Sequence, residues 1–119
     1  MTLDRDGILK AEDLPKKEVQ VPEWGGAVWV RTMTAKERDD YENAALDQRE
    51  SEDEKALHNV RACLAAFTVC DEAGKLLFTA ADIEALGAKS CAALDRIYET
   101  ALSLNRLRVR DIEELRKNS

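Results

Sequence analysis

The side chains of this sequence that could carry out chemistry are a single histidine, three cysteines and a short run of acidic residues. General acid–base and nucleophilic catalysis most often uses a histidine placed beside a nucleophile or a carboxylate. His58 is the one histidine, and it follows Leu57 inside a helical pattern that suggests no partner for it. We therefore expect a surface or boundary histidine, and the sequence predicts a protein that is not an enzyme.

Metal and phosphate binding are also disfavoured. Cys63 and Cys70 could share a helix face, but a structural zinc site needs four ligands and no second cluster exists. Together with Cys91 the cysteines are odd in number and lack CxxC spacing, so we expect reduced, buried thiols. The acidic run 50–54 lacks the central glycine of a calcium loop, and Gly25–Gly26 lacks the lysine and hydroxyl of a P-loop. We expect no metal ion and no cofactor.

The net negative charge of the chain disfavours nucleic acid and anionic membranes as partners. Its 24 acidic and 18 basic side chains give a formal charge of −6, which opposes binding to nucleic acid phosphates or anionic lipid. No apolar run approaches the roughly twenty residues of a membrane helix, and residues 1–10 lack the apolar stretch of a signal peptide. We expect no nucleic acid partner, no membrane and a cytoplasmic location.

A β-hairpin is predicted at about residues 17–32. Valines alternate with polar residues on both sides of Pro22–Gly26, a segment of turn-forming residue types. These valines are Val19, Val21, Val28 and Val30. Pro22 should lie at the end of a strand, where its missing N–H costs no ladder hydrogen bond.

Capping signals mark the first helices. Residues 4–11 can form a short helix before Leu14–Pro15 stops it. Thr34 and Glu37 have the spacing of a capping box, and the helix that follows should reach about Leu46. The polar stretch 47–53 is either a loop or a solvated continuation of that helix.

A second capping box, Ser51 to Glu54, precedes apolar residues that recur at helical spacing from Leu57 to Phe67, which predicts a buried helix. Asp71–Gly74 is a turn. The short segments on either side of it, 69–70 and 75–78, can pair briefly as extended chain.

Two more helices follow this turn. Thr79 is a suitable N-cap for a short helix with Phe78 and Ile83 as a hydrophobic staple and Gly87 as its C′ residue. A longer amphipathic helix begins near Lys89 or Ser90. Its apolar face contains Cys91, Leu94, Ile97, Tyr98, Ala101 and Leu102.

These elements predict a mainly α protein of the α+β class. A short N-terminal hairpin is followed by four to five helices over about residues 34–117. With 119 residues, of which 45% are hydrophobic, the chain is long enough for one core and too short for two. We expect a single domain over residues 1–119.

Candidate partner-binding residues lie at the hairpin and near the C-terminus. A tryptophan in a turn can cap its own core or anchor a partner, which applies to Trp24 and Trp29. Trp29 is out of phase with Val28 and Val30, so it should point outward if they point inward. A final helix at 111–117 is marginal alone and needs a surface to dock on. The C-terminal candidates are Arg106, Arg108, Arg110, Ile112 and Leu115.

The order of these signals resembles the tail assembly chaperones of long-tailed bacteriophages and prophages. The resemblance covers nearly the whole chain, and its most specific part is the valine-rich hairpin with a Pro-Glu-Trp-Gly turn. The segments that carry it are Asp13–Pro15, Val19–Arg31, Thr34–Tyr41, Asp71–Phe78, Ile83–Gly87 and Ser90–Leu104.

The resemblance implies a chaperone in the host bacterial cytoplasm that binds the phage tape measure protein, keeps it soluble and helps recruit the tail tube protein. It also implies absence from the finished virion and, in many members, a longer product made by ribosomal frameshifting. Two alternatives are a structural tail or head-tail connector component that stays in the virion, and an acidic bacterial adapter protein.

The physical reading of the chain agrees with such a role. A coiled-coil client exposes apolar stripes that a small acidic protein would cover and keep in solution. An apolar gap between the helices at 57–67 and 94–102, or a face left by a displaceable terminal helix, would accept an amphipathic helix. Self-association through head-to-tail contacts would generate a helical assembly.

Overall fold

The computed structural model describes residues 1–50 and 59–107, and within them it confirms the α+β class. The helices there are α1 Arg5–Lys10, α2 Ala35–Glu50, α3 Val60–Ala66, α4 Ile83–Gly87 and α5 Cys91–Leu104. The strands are β1 Lys16–Val21, β2 Gly26–Arg31 and β3 Val69–Cys70. They form one antiparallel sheet in the order β1-β2-β3.

The predicted hairpin is confirmed and is formed by β1 and β2. Val19 pairs with Val28 across the two strands, which places the four valines on one face of the sheet. Val21 and Val30 are buried, and the other two are half-buried against the core. The connection is a 3₁₀ turn over Pro22–Trp24, after which Gly25 adopts a left-handed φ of 73°. The alternating pattern therefore marks the core face of the hairpin.

The extended segment predicted at 69–70 is the third strand, but its pairing with β2 was not predicted. Trp29 pairs with Cys70, and Val30 pairs with Val69. The predicted extended pairing around the Asp71–Gly74 turn is confirmed by an antiparallel bridge between Cys70 and Leu76. A strand of two residues carries no alternation of its own, so its pairing with β2 depends on how the distant hairpin packs.

The capping box before α2 is confirmed. The Glu37 backbone N–H donates to Thr34 Oγ1 at 3.1 Å, and the Thr34 N–H donates to Glu37 Oε1 at 2.8 Å. The helix continues to Glu50, so the first part of the polar stretch is a continuation and not a loop. The capping box predicted at Ser51–Glu54, together with Leu57 and His58, lies outside the described residues.

The core is built by α3 and α5 against the hairpin and α4. Every residue from Ala62 to Ala66 is buried in α3, and α5 contributes Ala93, Leu94, Ile97 and Ala101. Alanine at many of these positions allows α3 to pack directly on α5. A space of about 190 Å³ lies at one end of this contact, with Arg61 and Lys89 in its lining. The apolar gap predicted between the helices at 57–67 and 94–102 involves residues 57 and 58, which lie outside the described residues, and it stays a prediction.

The helices that follow the Asp71–Gly74 turn begin at the predicted N-caps. The predicted end of α4 differs from the structure. Thr79 and Asp82 form a reciprocal capping box, and Ser90 Oγ accepts from the Ala93 N–H at 3.3 Å. Gly87 lies inside the last turn of α4, without a positive φ, so its predicted role as a C′ residue is wrong. A Cβ at this position would lie 2.6 Å from Asn59 Oδ1. The glycine therefore permits close approach of the Asn59 side chain.

Of the three cysteines, the two in the middle of the chain match the prediction of buried thiols. Cys63 and Cys70 are buried, and desolvation raises the pKa of the Cys63 thiol to about 12. Cys91 is exposed, which corrects its expected place on the buried face of α5. It is the first residue of the helix and lines the 190 Å³ space beside α3, so no side chain covers it.

Tyr41 carries a buried hydroxyl that has no hydrogen-bond partner in the described part of the chain. Its ring lies edge-on to Phe67 with the centroids 6.2 Å apart, and burial raises the pKa of the phenol. Because an unpaired buried hydroxyl opposes folding, we expect Tyr41→Phe to raise the free energy of unfolding by about 1 kcal/mol. Urea denaturation would measure this change. Tyr98→Phe, at a half-buried ring, is the control, and a clear loss of stability in Tyr41→Phe would contradict the prediction.

Candidate functional site

An apolar groove with an acidic edge lies between α2 and the segment that leads from β3 to α4. We call it the α2 groove, and it encloses about 600 Å³. Its partly or largely buried apolar side chains are Ala44, Phe67, Leu76 and Phe78, and the exposed Ala80 also lines it. The charged residues on its α2 side are Lys36, Glu37, Asp40 and Asp47. The groove thus combines an apolar base with an excess of carboxylates along one edge.

A nearly buried arginine fixes the position of α2 beside this groove. Arg31 is 6% exposed and makes two bonds to the Glu37 carboxylate, at 2.8 and 2.9 Å. Its guanidinium also donates to the carbonyl oxygens of Gly74 at 2.6 Å and Thr32 at 2.7 Å. One side chain therefore ties β2 to the start of α2 and to the turn before Leu76. The rigid, planar guanidinium group has several donors in fixed directions, so it is suited to holding three segments together.

The same ion pair sets the charge of the groove. The Arg31 guanidinium and the Thr34 N–H hold the pKa of Glu37 below its ordinary value, so this carboxylate stays ionised but is neutralised by its partner. Asp40 pairs with Lys36 at 3.0 Å; the Lys36 side chain is largely exposed and that of Asp40 is about half exposed. Such an exposed pair is weak and exchanges readily for another cation. Asp40 and Asp47 are therefore the carboxylates of the α2 groove that a basic ligand would meet.

A second apolar groove, which we call the α4 groove, lies beside α4 and the hairpin turn. It encloses about 490 Å³. The residues that line it are Trp24, Phe78, Asp82, Ala85, Leu86 and Lys89. Trp24 is 39% exposed, a large open area for an indole ring. Phe78 lines both grooves.

The hairpin turn that presents Trp24 is held against α5. Glu23 makes an ion pair with Arg96, with Nε and Oε1 2.9 Å apart and a second bond from Nη2 at 3.1 Å. This contact lowers the pKa of Glu23. Gly25 supplies the left-handed residue that ends the turn. The indole is therefore displayed on a supported turn at the edge of the α4 groove.

The structure separates the two tryptophans proposed as partner-binding residues. Trp24 lines the α4 groove, whereas Trp29 lies on the sheet face opposite to Val28 and Val30. Trp29 is half-buried, and the Lys16 ammonium lies 5.0 Å from its ring centroid. Among the C-terminal candidates, Arg106 is exposed and has a left-handed φ of 54°. The other candidates, Arg108, Arg110, Ile112 and Leu115, lie outside the described residues.

Sequence reasoning missed most of the side chains that form the two grooves. Phe78 was interpreted as the end of a short extended segment and as part of a hydrophobic staple, and Leu76 only as part of that segment. Leu86 and Ala85 belong to a helix too short to show a clear apolar stripe. No local pattern indicates these grooves, because each one is formed by segments that are far apart in sequence.

The described residues also bear on membranes and metals. None of the helices in residues 1–50 and 59–107 is both long and apolar enough to cross a bilayer. The same residues contain no cluster of three or more histidine, cysteine or acidic side chains arranged to hold a metal ion.

Comparisons with known proteins agree with this description. A family described as "Phage tail assembly chaperone" matches residues 8–118. The solved "Structure of bacteriophage HK97 tail assembly chaperone" matches with a TM-score of 0.57 at 18% sequence identity, and the match covers 83% of this chain and 94% of that one. At this identity the likeness shows a shared fold. A comparison with curated proteins finds no significant match.

Proposed function

Because the chain belongs to the phage tail assembly chaperone family, we propose that it binds the tape measure protein in the host cytoplasm and keeps that protein soluble during tail assembly. We further propose that it self-associates and helps to recruit the tail tube protein. The family and the fold suggest a role without catalysis. The observation that carries the proposal is the α2 groove, an open apolar surface edged with carboxylates.

The size of the α2 groove suits an amphipathic helix. One turn of a helix about 10 Å across and 5.4 Å long occupies roughly 400 Å³. The groove encloses about 600 Å³, so it accommodates the apolar side of one to two turns. Phe67, Leu76 and Phe78 would take the place of water against the client's apolar stripe. Covering such stripes along a long client is what prevents its aggregation.

The charge of the α2 groove selects among helices. Asp40 and Asp47 would pair with lysine or arginine residues that flank the apolar stripe of a client helix. Rim charges of this kind mainly steer association and exclude clients with acidic flanks. The net charge of −6 then lies on the outside of the complex, where repulsion between bound copies favours solubility.

The experiment that tests the proposal is co-expression with the cognate tape measure protein. We expect the wild-type chain to raise the soluble fraction of the client. The double variant Asp40→Lys, Asp47→Lys should weaken client binding about tenfold, since each reversed rim charge costs somewhat under 1 kcal/mol. Binding would be measured by titration of a labelled client fragment.

The matched control is Glu72→Lys, Glu99→Lys, which makes the same change of net charge at exposed positions that line neither groove. If both double variants lost the same amount of client affinity, the loss would be due to net charge alone. That result would count against the α2 groove as the binding site. No gain in client solubility from the wild-type chain would contradict the proposed function itself. Stoichiometric amounts of the chain in purified virions would instead favour a structural tail component.

A further inference from the structure

The C-terminal end of α5 is attached to the body of the protein next to the α2 groove. The Asn105 side chain accepts from the Met33 N–H at 2.6 Å, and its amide donates to the Arg31 carbonyl at 3.5 Å. Met33 directly precedes Thr34, which caps α2 and lines the α2 groove. The chain that follows α5 therefore starts beside the end of the groove at which α2 begins.

A defined turn ends α5. The Leu107 N–H donates to the Leu102 carbonyl at 2.9 Å, and the Arg106 N–H donates to the Ser103 carbonyl at 3.2 Å. With the left-handed φ of 54° at Arg106, these two bonds form a Schellman motif. A left-handed arginine is unfavourable by itself, but Leu107 is 7% exposed and packs in the core. The C-terminal segment, residues 108–119, therefore starts from a position that is held against the body of the protein.

The C-terminal segment is long enough to span the α2 groove. On the α2 side the groove extends from Thr34 to Asp47, thirteen positions that correspond to roughly 20 Å of helix. Twelve residues span about 18 Å as a helix and up to about 40 Å as an extended chain. The segment can therefore reach along the groove in either conformation.

The residue pattern of the segment matches the groove. Val109, Ile112 and Leu115, which we call the C-terminal stripe, recur at three-residue steps and would share one side of a helix. Arg108 and Arg116 would lie on the same side, eight positions and about 12 Å apart.

The carboxylates of the α2 groove have a similar spacing. Asp40 and Asp47 lie on α2 seven positions and about 10 Å apart. The lining of the α4 groove contains one carboxylate and one lysine, so it suits the two arginines of the segment less well. Position and charge thus both favour the α2 groove as the docking surface.

We propose that the C-terminal segment occupies the α2 groove of its own chain until a client helix displaces it. The C-terminal stripe lies on the apolar base of the groove, with Arg108 near Asp40 and Arg116 near Asp47. This inference rests on the proposed function, because it describes the regulation of the groove to which the client binds. Such a contact keeps an apolar surface from binding unrelated helices.

Attachment to the same chain makes a weak contact sufficient. A tethered segment has an effective concentration of about 1 mM, so a contact with a dissociation constant of about 0.1 mM leaves the groove open in about one tenth of the molecules. The apparent affinity for a client falls by the same factor. A client with a longer apolar stripe compensates for this factor and displaces the segment.

The first test measures how tightly the full chain binds a labelled model peptide, an amphipathic helix with a leucine stripe and lysine flanks. We expect the stripe variant, Ile112→Asp, Leu115→Asp, to bind this peptide about tenfold more tightly than the wild type, because its groove is open. The control, Lys117→Gln, Asn118→Asp, makes the same change of net charge away from the stripe and should change the affinity less than about twofold. Equal affinity of the stripe variant and the wild type, or an equal gain in the control, would overturn the proposal.

The second test detects the contact directly by a disulfide cross-link. Ala44→Cys in the groove and Ile112→Cys in the stripe are combined with Cys91→Ser, which removes the exposed native thiol. A mild oxidant should join the two new cysteines within one chain, and saturating peptide should prevent this. Asp39→Cys replaces Ala44→Cys in the control and should not cross-link, because Asp39 is exposed and lines neither groove. Absence of the Ala44–Ile112 link, or a link between two chains, would overturn the proposal.

Failure of this inference and failure of the proposed function are distinguishable, because both tests use a model peptide. A link within one chain, together with unchanged solubility of the tape measure protein, would contradict the proposed function and support the contact proposed here. In the stripe variant, the further changes Asp40→Lys and Asp47→Lys should weaken peptide binding about tenfold. Unchanged binding would mean that the peptide and the segment do not compete for the α2 groove, and it would overturn the proposal.

Discussion

Replacing Arg31 by methionine is expected to lower the free energy of unfolding by about 3 kcal/mol, the lower end of the range for breaking a buried ion pair by removing one partner. Methionine fills similar space but removes the Arg31 donors from the carbonyl oxygens of Gly74 and Thr32 and from the Glu37 carboxylate, which keeps the bond from the Thr34 N–H. Glu37 keeps some contact with water, which limits the loss. Urea denaturation followed by tryptophan fluorescence would measure it, with the slope unchanged.

The control for this prediction is Lys36→Met, which removes the exposed pair with Asp40. Such pairs contribute little, so we expect a change below about 0.5 kcal/mol. Equal effects of the two substitutions would contradict the structural role assigned to Arg31.

The effect of Arg31→Met should also depend on pH. The pKa of Glu37 is lowered in the folded state, so the pair contributes its full stability above the pKa of the unfolded chain, about 4.3. That contribution is lost as the pH falls through the lower folded pKa. We therefore expect the difference between wild type and Arg31→Met to shrink in acid. A difference that stays constant below pH 4 would assign the loss to packing alone.

Replacing Ile97 by alanine is expected to cost about 3 kcal/mol of stability. Ile97 is 1% exposed and lies in the middle of α5, the helix that packs on α3 and on both strands of the hairpin. Its loss leaves a cavity that the surrounding side chains fill only in part. Thermal unfolding and urea denaturation would both report the change.

Glu99→Ala is the matched control for Ile97→Ala, because it shortens an exposed side chain on the same helix. We expect it to change stability by less than about 0.5 kcal/mol. A small loss for Ile97→Ala would mean that the helix shifts to close the cavity. Since Arg96 on the same helix holds the Glu23 turn, such a shift would also move Trp24.

Local sequence signals predicted a large part of this fold. The Thr34–Glu37 and Thr79–Asp82 capping boxes and the Ser90 cap lie where the residue types indicated. The alternating valines identified the core face of the hairpin, and the left-handed φ of 92° at Gly74 fits the predicted turn. These features depend on residues within a few positions of one another, so a single sequence contains the information.

Features that depend on distant packing were not predicted. Gly87 was interpreted as a helix end, although its role is to leave room for Asn59, 28 positions earlier in the chain. Cys91 has the spacing of a buried residue, yet the space beside it is open. The grooves were not predicted because segments that are distant in sequence form them. Trp24 was identified as a partner-binding candidate from its residue type, but its neighbours Phe78 and Leu86 follow only from the fold.

Phe78 is shared by the two grooves. Its side chain lines each of them, so a ligand that rotated the ring on entering one groove would also reshape the other. Thermodynamic linkage would make such an influence mutual: the factor by which a ligand in one groove changes the affinity of the other groove is the same in both directions. The orientation of one aromatic ring would then couple the occupancies of two separate surfaces.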